Sequence, residues 1–322
     1  MPFLPVGGQA VIEGVMMRSP SKIAVAVRRV DGSLGMFEKP FVSITRTVKI
    51  LGLPVLRGAT SLFETMFLGI TALNFSADEA VKEPEAPGGT APTPGVKPSA
   101  AQAGLGGAAQ LLTVAISLGL GVLLFVVLPA KLTGWLGFKG RFGFGLVDGL
   151  FRLLAFVLYL LLISQWKEMR RVLGFHGAEH KAIHALENRA PLTPESVQSF
   201  SRFHPRCGTS FLFLVVVVSI VVFTIIGKPA GLRDHLLRIA CMPLIAGVAF
   251  EFIRISGRYY DRPLVRALVW PGLQFQRLTT REPDLEMCAV AIAALEKVRH
   301  DETVEALERA GDQARPEVVF VQ

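Results

Sequence analysis

The sequence predicts an α-helical membrane protein, with about four transmembrane helices joined to a small N-terminal cytoplasmic α+β region that contains a β-hairpin. Three observations predict it. The 322-residue chain is 51% hydrophobic and only 19% charged, against about a quarter charged in soluble domains. Its apolar residues are concentrated in runs of about 20, the length of helix that crosses a bilayer. Its basic residues cluster beside those runs, where they face anionic headgroups and set topology.

Residues 1–76 read as a cytoplasmic unit. KIAVAVRRV (22–30), the Asp31-Gly32 turn and SLGMFEK (33–39) form a predicted hairpin. The stretch 50–77 is apolar but broken by Pro54, Arg57 and Glu64. It reads as an amphipathic helix, lying at the interface or packed on the spans, rather than as a fifth span. Residues 77–107 are rich in Pro, Gly and Ala and are expected to be a disordered linker.

The membrane domain is expected over 108–256, with spans at about 109–129, 145–165, 209–227 and 236–256. The second span carries Asp148 and Arg152 one helical turn apart, so they can pair. The third carries a β-branched run that would suggest a strand in water, and its length decides for a membrane helix. The fourth is interrupted by Pro243 and carries Glu251. The loop 166–208 holds Lys167, Arg170, Arg171, Lys181, Arg189, Arg202 and Arg206, while the other two loops are short and carry about three basic residues each. The positive-inside rule therefore puts this loop and both termini in the cytoplasm, with the chain in the plasma (inner) membrane. Residues 257–322 are expected to be a cytoplasmic helical tail, with an apolar stripe of Ala289, Ile292, Ala293 and Leu295.

Composition also excludes. The net charge of +8 lies beside apolar runs and forms no basic-aromatic array, so the expected partner is the lipid bilayer and not nucleic acid. A homo-oligomer is left open. Three cysteines, Cys207, Cys241 and Cys288, with no CxxC pair, make no disulfide framework. The N-terminus shows no basic region followed by an apolar stretch, so insertion is expected to depend on the internal spans.

Chemistry is expected in GFHGAEHKAIHALE (174–187). His176-Gly-Ala-Glu179-His180 is an H-x-x-E-H string, the reverse of the zinc-protease H-E-x-x-H. Imidazoles at i and i+4 share a helix face and can meet one zinc ion at about 2 Å each, while the adjacent Glu179 can act as general base. The plain alternative is a solvated histidine-rich helix. A second feature is His204-Pro-Arg206-Cys207, an imidazole and a thiol three apart before the third span, a donor pair suited to zinc. A third is Glu251, an ionisable group inside a span, which is either functional or paired with Arg254 or Arg258. The topology brings His176, His180, His204, Cys207 and Glu251 to one membrane face.

GGQAVIEGVMMRSP (7–20), FHGAEHKAIHALE (175–187), HPRCGTSFL (204–212) and PGLQFQRLTTREPDLEMCAVAIAAL (271–295) together resemble the YqhQ family of bacterial integral membrane proteins. The resemblance covers nearly the whole chain except 78–107 and implies a metal-dependent enzyme. It rests on these same motifs and names no substrate.

The leading expectation is thus a divalent-metal hydrolase, zinc in type. His176 and His180 are ligands, the third comes from Cys207, His204 or Glu251, and Glu179 is the acid/base. Glu13, Arg18, His184 and Arg206 are candidates for supporting or substrate contacts, with Glu13 and Arg18 otherwise part of a lead-in to the hairpin. The competing readings are a scaffold or regulatory protein with a closed structural site of His176, His180, His204 and Cys207, and a transporter using Glu251 and the histidines.

Overall fold

A computed structural model describes residues 6–80, 82, 107–138, 140–205, 207–260 and 262–299. The expected linker lies outside the described residues apart from 77–80, 82 and 107, as do Arg206 and the end of the tail, 300–322.

The N-terminal region is an antiparallel meander of β1 (Gly7–Val11), β2 (Gly14–Arg18), β3 (Lys22–Arg28) and β4 (Leu34–Pro40), in sheet order 1-2-3-4. The expected hairpin is β3–β4. The block GGQAVIEGVMMR supplies a further hairpin that sequence analysis did not anticipate. It closes through Ile12 and Glu13, where Glu13 takes a φ of +52° and its carbonyl accepts from the Arg28 N–H at 2.8 Å. The period-two signal is missing from β2 because both of its faces are covered. Val15 and Met17 enter one core, while Met16 enters the other.

Helices follow. A short α1 (Ile44–Thr47) leads to the long α2 (Leu56–Ala80), which runs past residue 76 into the start of the expected linker. Then come α3 (Gly107–Val122), a π-helical turn (Leu123–Val127), α4 (Leu128–Trp135), α5 (Arg141–Ile163), α6 (Lys167–Glu187) and the short α7 (Pro194–Gln198). The chain continues with α8 (Gly208–Ile226), α9 (Leu232–Ala240), α10 (Met242–Arg258), α11 (Pro263–Thr279) and α12 (Leu285–Arg299).

Among the described residues, four helical stretches are long and apolar enough to cross a membrane: Leu112–Trp135, Phe142–Ile163, Gly208–Ile226 and Leu232–Ser256. The first runs through the π-turn, and the fourth is α9 and α10 joined at Cys241, with Pro243 in the opening turn of α10. Helix α2 is not among the four. It lies against α10, where Gly58 meets Gly247 and Phe250. Within the spans, Asp148 accepts from Arg152 at 3.1 Å and from Arg238 at 3.2 Å. Arg238 is fully buried and also donates to the Gly227 carbonyl at 2.8 Å. These charges are held in an apolar setting by pairing with one another, although Asp148 Oδ1, Arg152 Nε and Nη1 and Arg238 Nε make no hydrogen bond.

The layers explain how the polar segments fold. On one face of the sheet, α2 contributes Leu68, Ala72 and Phe75 to a core with Val11, Met16, Ile23, Val25 and Val27. On the other face, α6 and α12 pack on Val15, Met17, Ala24 and Ala26. The loop 166–208 and the tail helix therefore share one core with the N-terminal strands. Sequence analysis divided these pieces among three regions, because the hydrophobic faces that unite them are far apart along the chain.

Candidate metal centre

Helix α6 starts four residues after the second span ends and has a polar sequence. Yet from Leu173 to Glu187 every residue except His184 is buried. The helix is enclosed by the sheet, by α12 and by the loop that follows it. Phe175, Ala178, Ala182, Ala185 and Leu186 fill the core. His176, Glu179, His180 and Glu187 belong to the opposite stripe, which meets Arg202, His204, Cys207 and the end of α11.

Two close approaches hold this stripe in place. A side chain on Gly177 would collide with the Arg281 carbonyl oxygen, so the missing Cβ lets the segment after α11 run directly over the helix. There the Arg281 N–H donates to the Leu173 carbonyl at 2.8 Å, and Thr279 is brought to His176. The other approach is from β1. A Cβ on Gly8 would stand 2.6 Å from the Met16 carbonyl oxygen and 2.9 Å from Glu179 Cγ. Gly8 is thus the space in which the Glu179 side chain lies.

The imidazoles are oriented by backbone carbonyls. His176 Nδ1 lies 2.8 Å from the Thr279 carbonyl oxygen, and His180 Nδ1 lies 2.5 Å from that of Arg202. A carbonyl only accepts, so each Nδ1 carries the proton and each Nε2 presents its lone pair. His176 Nε2 faces Cys207 Sγ at 3.3 Å. His180 Nε2 is buried, makes no hydrogen bond, and lies 3.7 Å from Glu179 Oε2. Cys207 caps α8, its sulfur accepting from the Thr209 N–H at 3.4 Å with the Thr209 hydroxyl at 3.1 Å.

Electrostatics follow from burial. It pushes His176 down to about 4 and His204 to about 3, and holds His180 well below the ordinary histidine value. The neighbouring histidines depress His180 further. All three rings are therefore neutral at physiological pH, the form that binds metal. Burial also pushes the Cys207 thiol up to about 12, with the nearby Glu179 charge adding to the rise. Without a cation the sulfur keeps its proton, and a bound cation displaces it.

His176, His180 and Cys207 each offer a donor atom within 4.8 Å of the others. Two donors on one tetrahedral zinc, bonded at about 2.0–2.3 Å, stand roughly 3.3–3.6 Å apart. The His176–Cys207 separation fits that, and two imidazoles with one thiol suit zinc. The carbonyls behind both Nδ1 atoms are the supports that metal-binding histidines ordinarily have.

The other candidate residues divide. His204 falls into a different group, with His184 and Glu187. Glu251 is not among these donors. Its carboxylate takes Arg57 Nε at 2.7 Å and the Val55 N–H at 3.3 Å, with Arg254 at 3.7 Å. It clamps α2 to α10, one of the pairings weighed from sequence supplemented by an arginine from a helix 194 residues away. Glu13 pairs with Arg171, joining the β1–β2 turn to the start of α6. Arg18 stacks on the Phe41 ring at 4.0 Å and lies 3.9 Å from Glu64. Arg206 lies outside the described residues. Sequence analysis gave Glu187 no role, although it stands on the histidine stripe three residues after His184. Gln276, which holds both His204 backbone groups, carried no sequence signal at all.

Comparison with known proteins adds the family. A family profile described as "Protein of unknown function (DUF1385)" matches residues 53–301, a span that takes in every donor above but begins after the sheet. The uncharacterized protein YqhQ of Bacillus subtilis (strain 168) is 32% identical over 303 residues, covering 91% of each chain. No solved structure matches.

Proposed function

The chain belongs to the DUF1385 family, and we propose that it is a membrane-embedded, metal-dependent hydrolase of the zinc type. One observation carries the reading. Three donors of suitable chemistry, two from α6 and one from the cap of the third span, face one another in a buried setting, with both histidine Nδ1 atoms already engaged by carbonyls.

His176, His180 and Cys207 are the proposed ligands. Zinc held by three protein donors supplies Lewis acidity and a water acidic near neutral pH. Glu179, beside His180 and confined by Gly8, is placed to take and return a proton at its carboxylate oxygens. Thr279 and Arg281 on one side and Arg202 on the other pack on the helix that carries the histidines, and His176, His180 and Cys207 are buried. The basic loop 166–208 supports a cytoplasmic position for the centre and for both termini, in the plasma (inner) membrane.

A structural metal site in a scaffold protein is the second reading, and the near-complete burial of the donors favours it. The experiment is elemental analysis of the detergent-purified full chain beside the His176→Ala/His180→Ala double variant, then cobalt substitution. The hydrolase reading expects metal in the wild type, loss of it in the variant, and a cobalt spectrum that responds to azide at an open position. An azide-insensitive spectrum with retained metal supports the structural site. Equal, negligible metal in both proteins sinks both readings.

A further inference from the structure

Helix α6 continues its donor stripe beyond the proposed ligands, and the chain folds back to complete it. His184 and Glu187 lie one and two turns further along, and His204 comes from the loop. Their donor atoms all lie within 4.8 Å of one another. We propose that His184, Glu187 and His204 form a second divalent-metal site beside the first, making the centre binuclear.

The geometry favours an ion site over a simple His–Glu pair. His204 Nε2 and Glu187 Oε2 are 3.4 Å apart, long beside the roughly 2.9 Å usual for an N–H···O bond. It is close to the roughly 3.3 Å between two donors bonded to one zinc at about 2.0–2.1 Å. His184 Nε2 lies 2.9 Å from the Phe203 carbonyl oxygen. That nitrogen therefore carries the proton, and Nδ1 presents the lone pair. His204 is held rigidly from behind. Its N–H donates to Gln276 Oε1 at 2.8 Å, and its carbonyl accepts from Gln276 Nε2 at 2.7 Å. A buried glutamine thus fixes the backbone that carries the His204 side chain into the donor cluster.

The two sets are contiguous. Ring centroids run 4.5 Å from His176 to His180, 5.7 Å from His180 to His204 and 4.6 Å from His204 to His184. Four imidazoles therefore form one row, with Cys207 at one end and Glu187 at the other. The donor chemistry grades along it. The first set contains a thiol and selects zinc, while the second has two imidazoles and a carboxylate and accepts zinc, manganese or iron(II). Paired ions of this kind clamp the attacking and leaving oxygens of phosphate esters and the carbonyls of peptides. The second site stands on its own residues, and only its description as part of a binuclear centre rests on the first reading.

The test is metal stoichiometry in the full-length protein in detergent, stripped with chelator and titrated with zinc and, separately, with cobalt. The wild type should bind two equivalents. In the cobalt titration, the thiolate charge-transfer band should saturate at one equivalent while the ligand-field bands grow to two, because only the first set contains sulfur. Glu187→Gln and His184→Ala should each reduce the count to one and keep the thiolate band. His176→Ala should also leave one equivalent, without that band. A wild type that binds one equivalent, lost in His176→Ala and unchanged in Glu187→Gln, overturns the second site and leaves the first reading standing. One equivalent that survives His176→Ala and is lost in Glu187→Gln upholds the second site and removes the first reading. No binding overturns both. Where a variant fails to fold, the wild-type count and its cobalt spectrum decide together: one equivalent with the thiolate band overturns the second site, and one equivalent without it upholds that site.

Discussion

Replacing Gly8 with alanine should disturb the sheet and the proposed metal site together. The added methyl would stand 2.6 Å from the Met16 carbonyl oxygen, 2.9 Å from Glu179 Cγ and 2.9 Å from Met17 Sδ. The methionine sulfur can swing aside. The carbonyl cannot, because Met16 and Met17 belong to β2, which is hydrogen-bonded to β1 on one side and β3 on the other. The strain must therefore move β1 away from α6 or force Glu179 into a new rotamer. Overpacking of a tight core costs about 1–3 kcal/mol, and a factor of ten in an equilibrium constant is about 1.4 kcal/mol. A domain of this size loses roughly 2–4 °C in Tm per kcal/mol. Thermal unfolding in detergent should therefore show a fall of several degrees in Gly8→Ala, and zinc competition should show weaker binding as Glu179 shifts. Gly134→Ala is the control, since nothing lies within 4 Å of its added methyl and its φ is ordinary. Wild-type Tm and zinc affinity in Gly8→Ala would refute the close approach of β1 to Glu179.

Three further outcomes are expected. Asp148→Asn leaves Arg152 and Arg238 without their shared carboxylate. Breaking such a buried pair costs about 3–5 kcal/mol, so the purified variant should melt well below the wild type, and an unchanged melt would contradict the charge cluster. Glu251→Gln removes the clamp on Arg57 but should leave bound zinc unchanged in elemental analysis; loss of zinc would return Glu251 to the ligand set. Glu38, held by Lys22 at 2.9 Å and Lys297 at 3.0 Å, has its carboxyl depressed, chiefly by the Lys22 hydrogen bond. A depressed carboxylate contributes stability above its ordinary value near 4.5 and loses it as pH falls through the lowered one. Melting at neutral pH should therefore favour the wild type over Glu38→Gln by less than about 1 kcal/mol, and the gap should close in acid.

The spans were legible in the sequence because an apolar run of about 20 residues has one stable solution in a bilayer. The observed stretches lie within six residues of the expected ends. The β3–β4 hairpin was legible too, since Asp-Gly supplies its own turn geometry. The pairing of His176 with His180 is equally local, fixed by the helical repeat once α6 forms. Tertiary structure decided the rest. Which candidate donors stand near the two histidines depends on the rotation of α10, which turns Glu251 toward Arg57, and on the chain before α8, where Cys207 falls in one group and His204 in the other. Hydropathy sets neither. The strands β1 and β2 were hidden for a related reason: a strand buried on both faces loses the alternation that marks a strand. The need for glycine at position 8 arises from the Met16 carbonyl in the paired strand and from the Glu179 side chain 171 positions away, and the second contact exists only once the helix lies on the sheet.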